Sequence, residues 1–168
     1  AEAVLFRLAE LTSAMRGAFY ASDPESGLVR AEAGYGCSVE QMATTAFRPG
    51  EGLIGEAVRT GRPVTLTDIP PENAYLNSSL GQLSAHSMVI MPLMFGEKAV
   101  GAFELLFLKP IEARYQTLLK RLSDNIAAVL DSLVQSIKTS TLLEESRQQA
   151  EEMRTQGEEL QQSMEELT

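Results

Sequence analysis

Apolar side chains recur along this chain with two different periods, and the switches between them mark its elements. Val4, Leu8, Leu11 and Met15, joined by Leu5, recur by three and four, which predicts an amphipathic helix over residues 2–14. Residues 17–21 and 28–33 read as a β-hairpin around Asp23-Pro24-Glu25-Ser26-Gly27, where proline fixes φ and glycine supplies a positive φ. Residues 43–47 are extended, and Ser38 is placed to cap a short helical turn reaching Met42. Two strongly apolar runs, 88–94 and 99–108, flank Phe95-Gly96-Glu97-Lys98 and predict a second hairpin central in a sheet covered on both faces. Between residues 68 and 87 lies a long Pro-, Ser- and Asn-rich segment, with a short helix expected near 78–83; loops of this length in compact domains usually carry function or are disordered.

From Arg114 the pattern is one long helix. A broad stripe (Leu118, Leu119, Leu122, Ile126, Val129, Leu130, Leu133 and Ile137) is the kind that packs on a globular body. Beyond it the stripe narrows to a heptad seam of Leu143, Ser146, Ala150, Met153, Gly157, Leu160, Met164 and Leu167. Ile137 and Leu143 are six residues apart instead of seven, and Thr139, Ser140 and Thr141 between them are poor helix formers. The expected division is a globular domain over residues 1–137 and a coiled-coil linker helix over 138–168.

Residues 48–69, RPGEGLIGEAVRTGRPVTLTDI, are the most specific block. Gly50 and Gly52 allow a tight turn, Leu53, Ile54, Ala57 and Val58 recur at helical spacing, and Gly61 with Pro63 ends the helix abruptly. Val64, Leu66 and Ile69 then open an extended segment. Gly50 to Gly55 also spells G-x-G-x-x-G with Asp68 downstream, the outline of a dinucleotide fingerprint. Pro49 before the first glycine, a helix of about two turns where a βαβ crossover needs a dozen or more residues, and the lack of further βαβ units all count against that reading.

Pro49, Gly50, Glu51, Gly52, Leu53, Gly55, Gly61, Pro63, Val64, Asp68 and Ile69 resemble the middle of a GAF domain, a small-molecule-binding sensor module of signalling proteins, and the flanking pattern fits over roughly residues 1–135. The resemblance implies an α+β fold, GAF-like and PAS-related: an antiparallel sheet of five or six strands flanked by helices, with a long C-terminal coiled-coil helix. The Glu- and Gln-rich stretch from Leu142 to Leu167 looks like the linker that joins GAF domains to the kinase core of bacterial hybrid sensor histidine kinases.

Charge is unevenly spread. Residues 141–168 hold eight Glu and two Arg, a net of −6, while the other 140 residues hold 15 acids and 12 bases, a net of −3. A near-neutral body and an acidic tail lack the basic patch of a nucleic-acid binder. No run of 18 apolar residues predicts membrane insertion, and no signal peptide opens the chain. It begins at Ala1 within a helical pattern, as expected of a piece of a longer protein. A single cysteine excludes an internal disulfide framework and fits the cytoplasm.

Candidate chemistry is sparse. Cys37 is the only thiol and His86 the only histidine, and nothing in the spacing brings them together as nucleophile and base. The GAF-related enzymes that reduce free methionine sulfoxide need several cysteines, and bilin-carrying relatives attach pigment to a cysteine often followed by His; here Ala85 precedes His86, so no covalent bilin is expected. No metal is expected either, since no second His or Cys joins these two, and no catalytic carboxylate pair, triad or P-loop exists. Glu104 interrupts an otherwise apolar strand: it is either half-exposed at a sheet edge, bonded to a backbone amide, or a polar anchor inside a ligand pocket.

The expectation is a regulatory, non-enzymatic input domain that binds a ligand of unknown identity and passes its state to a kinase domain of the parent chain. The ligand site is placed between the sheet and residues 68–87, with Phe47, Ile54, Asn73, Tyr75, His86, Met88 and Glu104 as candidate contacts. A homodimer is expected through Val4, Leu8 and Leu11 of the first helix and Leu143, Ala150, Met153, Leu160, Met164 and Leu167 of the last. The alternatives are a dimerisation scaffold without ligand and a redox enzyme built on Cys37.

Overall fold

The computed structural model describes residues 1–37, 42, 45–70, 75–78 and 81–166, with the backbone alone for 75–78, 82 and 159–166. It comprises two compact units, Ala1–Val129 and Leu130–Thr168.

The first unit is built on a six-stranded sheet of order β3-β2-β1-β8-β7-β4, antiparallel throughout. The strands are β1 (Arg16–Ser22), β2 (Val29–Tyr35), β3 (Ala46–Phe47), β4 (Val64–Thr67), β7 (Ser87–Phe95) and β8 (Lys98–Phe107), and a separate hairpin is formed by β5 (Tyr75–Ser78) and β6 (Gly81–Ser84). The helices are α1 (Glu2–Thr12), α2 (Gly52–Thr60) and α3 (Ala113–Glu166). The α+β expectation of a five- or six-stranded antiparallel sheet with a long C-terminal helix therefore holds. The helix expected near residues 78–83 does not: β5 and β6 pair there, Asn77 with Gln82 and Ser78 with Gly81, in keeping with the Asn, Ser and Gly of a turn.

Side-chain alternation sorts the central strands onto two faces. One face carries Phe19, Phe103, Leu105, Val89, Met91 and Leu93, all buried. Helix α1 covers its β1–β2 side: a Cβ on Gly17 would meet Leu105 and Leu5 side chains together. The inward stripe of α1 is Leu5, Leu8, Ala9 and Thr12, while Val4, Leu11 and Met15 are exposed. Of the apolar positions read from sequence, Leu5 and Leu8 thus face the sheet, and α1 is apolar around much of its circumference. Leu119, Ser123 and Ala127 of α3 are buried in this unit as well.

The opposite face carries Ala18, Tyr20, Val29, Ile90 and Ala102, with Ile54, Ala57 and Val58 of α2 packed upon it. The glycine-rich block explains the seating of α2. Gly50 N–H donates to the Gly55 carbonyl at 2.8 Å, and the Glu51 carboxylate accepts the Arg48 N–H at 2.9 Å. A side chain at Gly55 would collide with the Arg48 carbonyl oxygen, so only glycine lets the turn lie this close to the helix. Gly61 ends α2 at φ 64°, a left-handed conformation that disfavours any Cβ.

In the second unit, α3 runs on as unbroken helix. Thr139 and Thr141 hydroxyls donate back to the Gln135 and Ile137 carbonyls at 2.9 and 3.1 Å. Leu133, Ile137, Leu142, Leu143 and Met153 are all exposed.

Candidate functional site

On the α2-bearing face the residues at the centre of the sheet are small, and space opens where they lie. Ala18 pairs with Glu104, Tyr20 with Ala102 on one side and Ala31 on the other, and Val29 with Phe47. A cavity of about 200 Å³ is lined there by Ala18, Ala31, Met42, Thr45 and Phe47 together with four polar or ionisable groups, Arg16, Tyr20, Cys37 and Glu104.

Register brings these groups together. Tyr20 Oη donates to Glu104 Oε1 at 2.8 Å, across the β1–β8 pair. A β-bulge between Phe19, which pairs with Ala33, and Tyr20 skips Glu32, so that Tyr20 pairs with Ala31 and both lie on the cavity face; bulges commonly re-aim side chains next to sites in this way. The rings of Tyr20 and Phe47 meet edge-on, with centroids 5.9 Å apart. Arg16 Nε donates to Cys37 Sγ at 3.2 Å, and the thiol faces the Gly17 and Tyr35 carbonyl oxygens at 3.3 and 3.6 Å.

Burial dominates the electrostatics. It pushes the Glu104 carboxyl above the ordinary carboxylate range, and the Tyr20 hydrogen bond and the Arg16 charge pull it only part of the way back. The Tyr20 phenol is raised too, first by burial and then by the charge and hydrogen bond of Glu104. Glu104 is therefore a desolvated group with one oxygen satisfied by Tyr20.

Of the residues picked out from sequence, Phe47 and Glu104 line this cavity. Ile54 is buried, and Met88 half-buried, in the adjoining apolar cluster on the same face. His86 is elsewhere: its Nε2 lies 3.4 Å from Asp68 Oδ1, and its backbone ties the start of β7 to Phe107 and Ile69. Asn73 lies outside the described residues, as does the Tyr75 side chain. Arg16 and Tyr20 were not anticipated as site residues, and Cys37 was weighed only as a redox nucleophile. The available signal was an arginine and a tyrosine alternating with small residues on one face of a strand.

A larger cavity, about 360 Å³, lies between the end of α1 and the β8–α3 connection, with Thr12, Met15, Phe107, Ile111 and Tyr115 among its walls. Its charged residues, Lys109 and Glu112, are exposed. Of the two, the smaller gathers convergent polar groups with shifted proton affinity, which favours it as a binding site. Among the described residues no three of His, Cys, Asp and Glu gather in metal-binding geometry. No helix there is long and apolar enough to cross a membrane.

A six-stranded antiparallel sheet, helices on both faces and a polar-anchored cavity on the face that also carries the glycine-seated helix define a small α+β module. The model of the GAF domain family matches residues 1–131, so the chain belongs to the GAF domain family, whose members are ligand-sensing regulatory domains. No curated protein matches the chain. Among solved structures it is similar to the second GAF domain of DevS from Mycobacterium smegmatis (TM-score 0.65, 16% identity, 82% of this chain and 95% of that one). It is similar also to the GAF domain of a phosphoenolpyruvate-protein phosphotransferase from Acinetobacter (TM-score 0.63, 18% identity, 78% and 80%). The corresponding domain from Coxiella burnetii has TM-score 0.63, 23% identity and covers 80% and 82%. At these identities the likeness is one of fold.

Proposed function

We propose that this chain is the small-molecule-sensing input domain of a bacterial, cytoplasmic signalling protein. In this reading the cavity bounded by Arg16, Tyr20, Phe47 and Glu104 is its ligand site. The supporting observation is the Tyr20–Glu104 pair: a carboxyl drawn out of water on a central strand, with one oxygen bonded to a phenol and an open space beside it. Leaving such a group facing a cavity costs stability unless something donates to it. A ligand is the natural donor.

Native mass spectrometry of gently purified protein, mixed with a bacterial small-molecule extract, tests this. The wild type should carry a non-covalent adduct. Ala18→Leu, which fills the cavity floor, should not. Equal adducts on both proteins would remove the cavity from consideration.

The same reading makes the acidic helix a relay to a kinase domain of a sensor histidine kinase, and the protein a homodimer. What supports this is the exposure of Leu143 and Met153 in the lone chain, where Met153 is 73% accessible. Ala150 lies on the same exposed helix, and Leu160 and Met164 continue the seam in sequence, with Leu167 beyond the described residues. Val4 and Leu11 offer apolar surface on α1, whereas Leu8 is covered within its own chain. Burying each Leu or Met contributes about 1.5–3 kcal/mol, and sedimentation at high micromolar concentration should show a dimer; a monomer there would contradict the relay.

A further inference from the structure

We infer that residues 138–142 of α3 are a frame junction: a second copy of this chain can close on the apolar seam before them or on the seam after them, but not on both at once. This rests on the homodimer reading and adds how the two helices meet.

The tail repeats with a period of seven. A Glu-Glu pair recurs at residues 144–145, 151–152, 158–159 and 165–166, and the seam positions 143, 146, 150, 153, 157, 160, 164 and 167 step by three and four between them. That period, about 3.5 residues per turn, is not the 3.6 of a lone helix; it is the period of a helix wound on another of its kind. The acid pairs fall at heptad positions b and c, outside the seam. Arg154 and Gln148 donate to Glu158 and Glu152 along the same helix at 2.9 and 3.2 Å. In a parallel pair Arg147 and Arg154, at position e, meet Leu142 and Gln149 at position g of the second copy, so no like charges oppose across the seam. A second copy is therefore the occupant that suits this face.

The helix before the tail runs in another frame. Ile126, Leu130, Leu133 and Ile137 also step by four and three, but that frame continued forward meets Ser140, Glu144, Arg147 and Glu151. The frame of the tail continued backward meets Thr139, Ser136 and Ser132 before it reaches Val129. The two frames are one residue apart, and one residue is about 100° around a helix, so the seams face different ways. Bringing Ile137 and Leu143 into line would wind six residues into two turns, the tight pitch of a 3₁₀-helix, which is rarely sustained beyond about 3–4 residues. The chain keeps α-helical pitch there instead: Thr139 and Thr141 bond back to carbonyls four residues earlier. Leu133 and Ile137 before the junction, and Leu143 and Met153 after it, are all exposed in the single chain. The first seam is short but large-chained throughout; the second is longer and diluted by Ser146, Ala150 and Gly157. Two closures of comparable strength make this stretch a two-state element, which a signal tips only through a difference in its affinity for the two states.

Sedimentation equilibrium of the whole chain, with one or two alanines inserted after Thr141, tests the junction; far-UV circular dichroism verifies that helix content is kept. One alanine makes the Ile137–Leu143 spacing seven and merges the seams. It should lower the dimer dissociation constant at least about tenfold, since burying one further Leu or Ile per chain suffices for that. Two alanines add more of the same helix former but leave the frames one residue apart in the other direction, and should not tighten the dimer. Leu133→Asp and Met153→Asp sharpen the result. In the merged protein each should weaken the dimer at least about tenfold; in the wild type at least one should leave it nearly unchanged, because the other seam still closes. An unchanged constant with one alanine, or equal tightening by two, would overturn the junction and leave the dimer standing. Monomers throughout at high micromolar concentration would remove the dimer reading and the junction with it.

Discussion

The two faces of one strand pair, β1 with β8, are made to different rules. On the α1 side Phe19 meets Phe103, and Gly17 makes room for Leu105 and Leu5, so the surface is apolar and closed. On the α2 side, one residue along each strand, Ala18 meets Glu104 and Tyr20 meets Ala102. There the side chains are too small to fill the layer, and the polar ones aim into what is left. Because neighbours in a strand point to opposite faces, a single ten-residue strand can contribute to a tight core and to a polar cavity at once. The difference teaches that the cavity is written into the sheet by alanines, with α2 packed beside it on the same face by its glycine turn.

Breaking the closed face should cost most. Phe103 is fully buried, and Phe103→Ala is expected to lower stability by about 3–5 kcal/mol, through lost transfer energy and the void left behind. Urea unfolding measures it directly. A loss under about 1 kcal/mol would mean that the two faces do not differ in packing as described.

The open face should reveal itself through pH instead. Glu104 holds its proton more tightly in the folded chain than in the unfolded one, whose glutamate titrates near about 4.3. Below that value both states are protonated and the group contributes nothing unfavourable. As pH rises through the raised folded value, the unfolded chain has already released its proton and the folded chain must ionise a buried carboxyl, so stability falls. Glu104→Gln should flatten the fall of the urea midpoint that the wild type shows above about pH 4.3. Parallel curves for wild type and variant would show that Glu104 is solvated. The effect should be smaller than that of Phe103→Ala, because the Tyr20 hydrogen bond and the Arg16 charge offset part of the burial.

The contrast between the faces was only half legible in the sequence. Glu104 stood out as a carboxylate in an apolar strand, and the Pro49–Gly61 block fixed the turn, the short helix and its end by local rules that need no partner. Arg16 and Tyr20 were not legible, because their roles come from pairing: Tyr20 and Glu104 are 84 residues apart in sequence, and a bulge decides which face Tyr20's partner occupies. Which face of α1 turns inward was not legible for a related reason. Val4, Leu8 and Leu11 make as good a helical stripe as Leu5, Leu8, Ala9 and Thr12, and only the sheet selects between them. His86 was drawn into the expected site by its position at the head of β7, yet its ring turns to Asp68.

Methyl NMR tests the two-face division and the ligand site together. Protein labelled at alanine and methionine methyls would be titrated with the small-molecule extract. Ala18, Ala31 and Met42 report the cavity; Ala9, Ala33 and Met91 report the closed face. Shifts concentrated on the first three, with the second three unmoved, are expected. Shifts centred on Ala9, Ala33 and Met91, or spread evenly over both sets, would contradict the claim that the alanine-lined cavity is where this domain receives its signal.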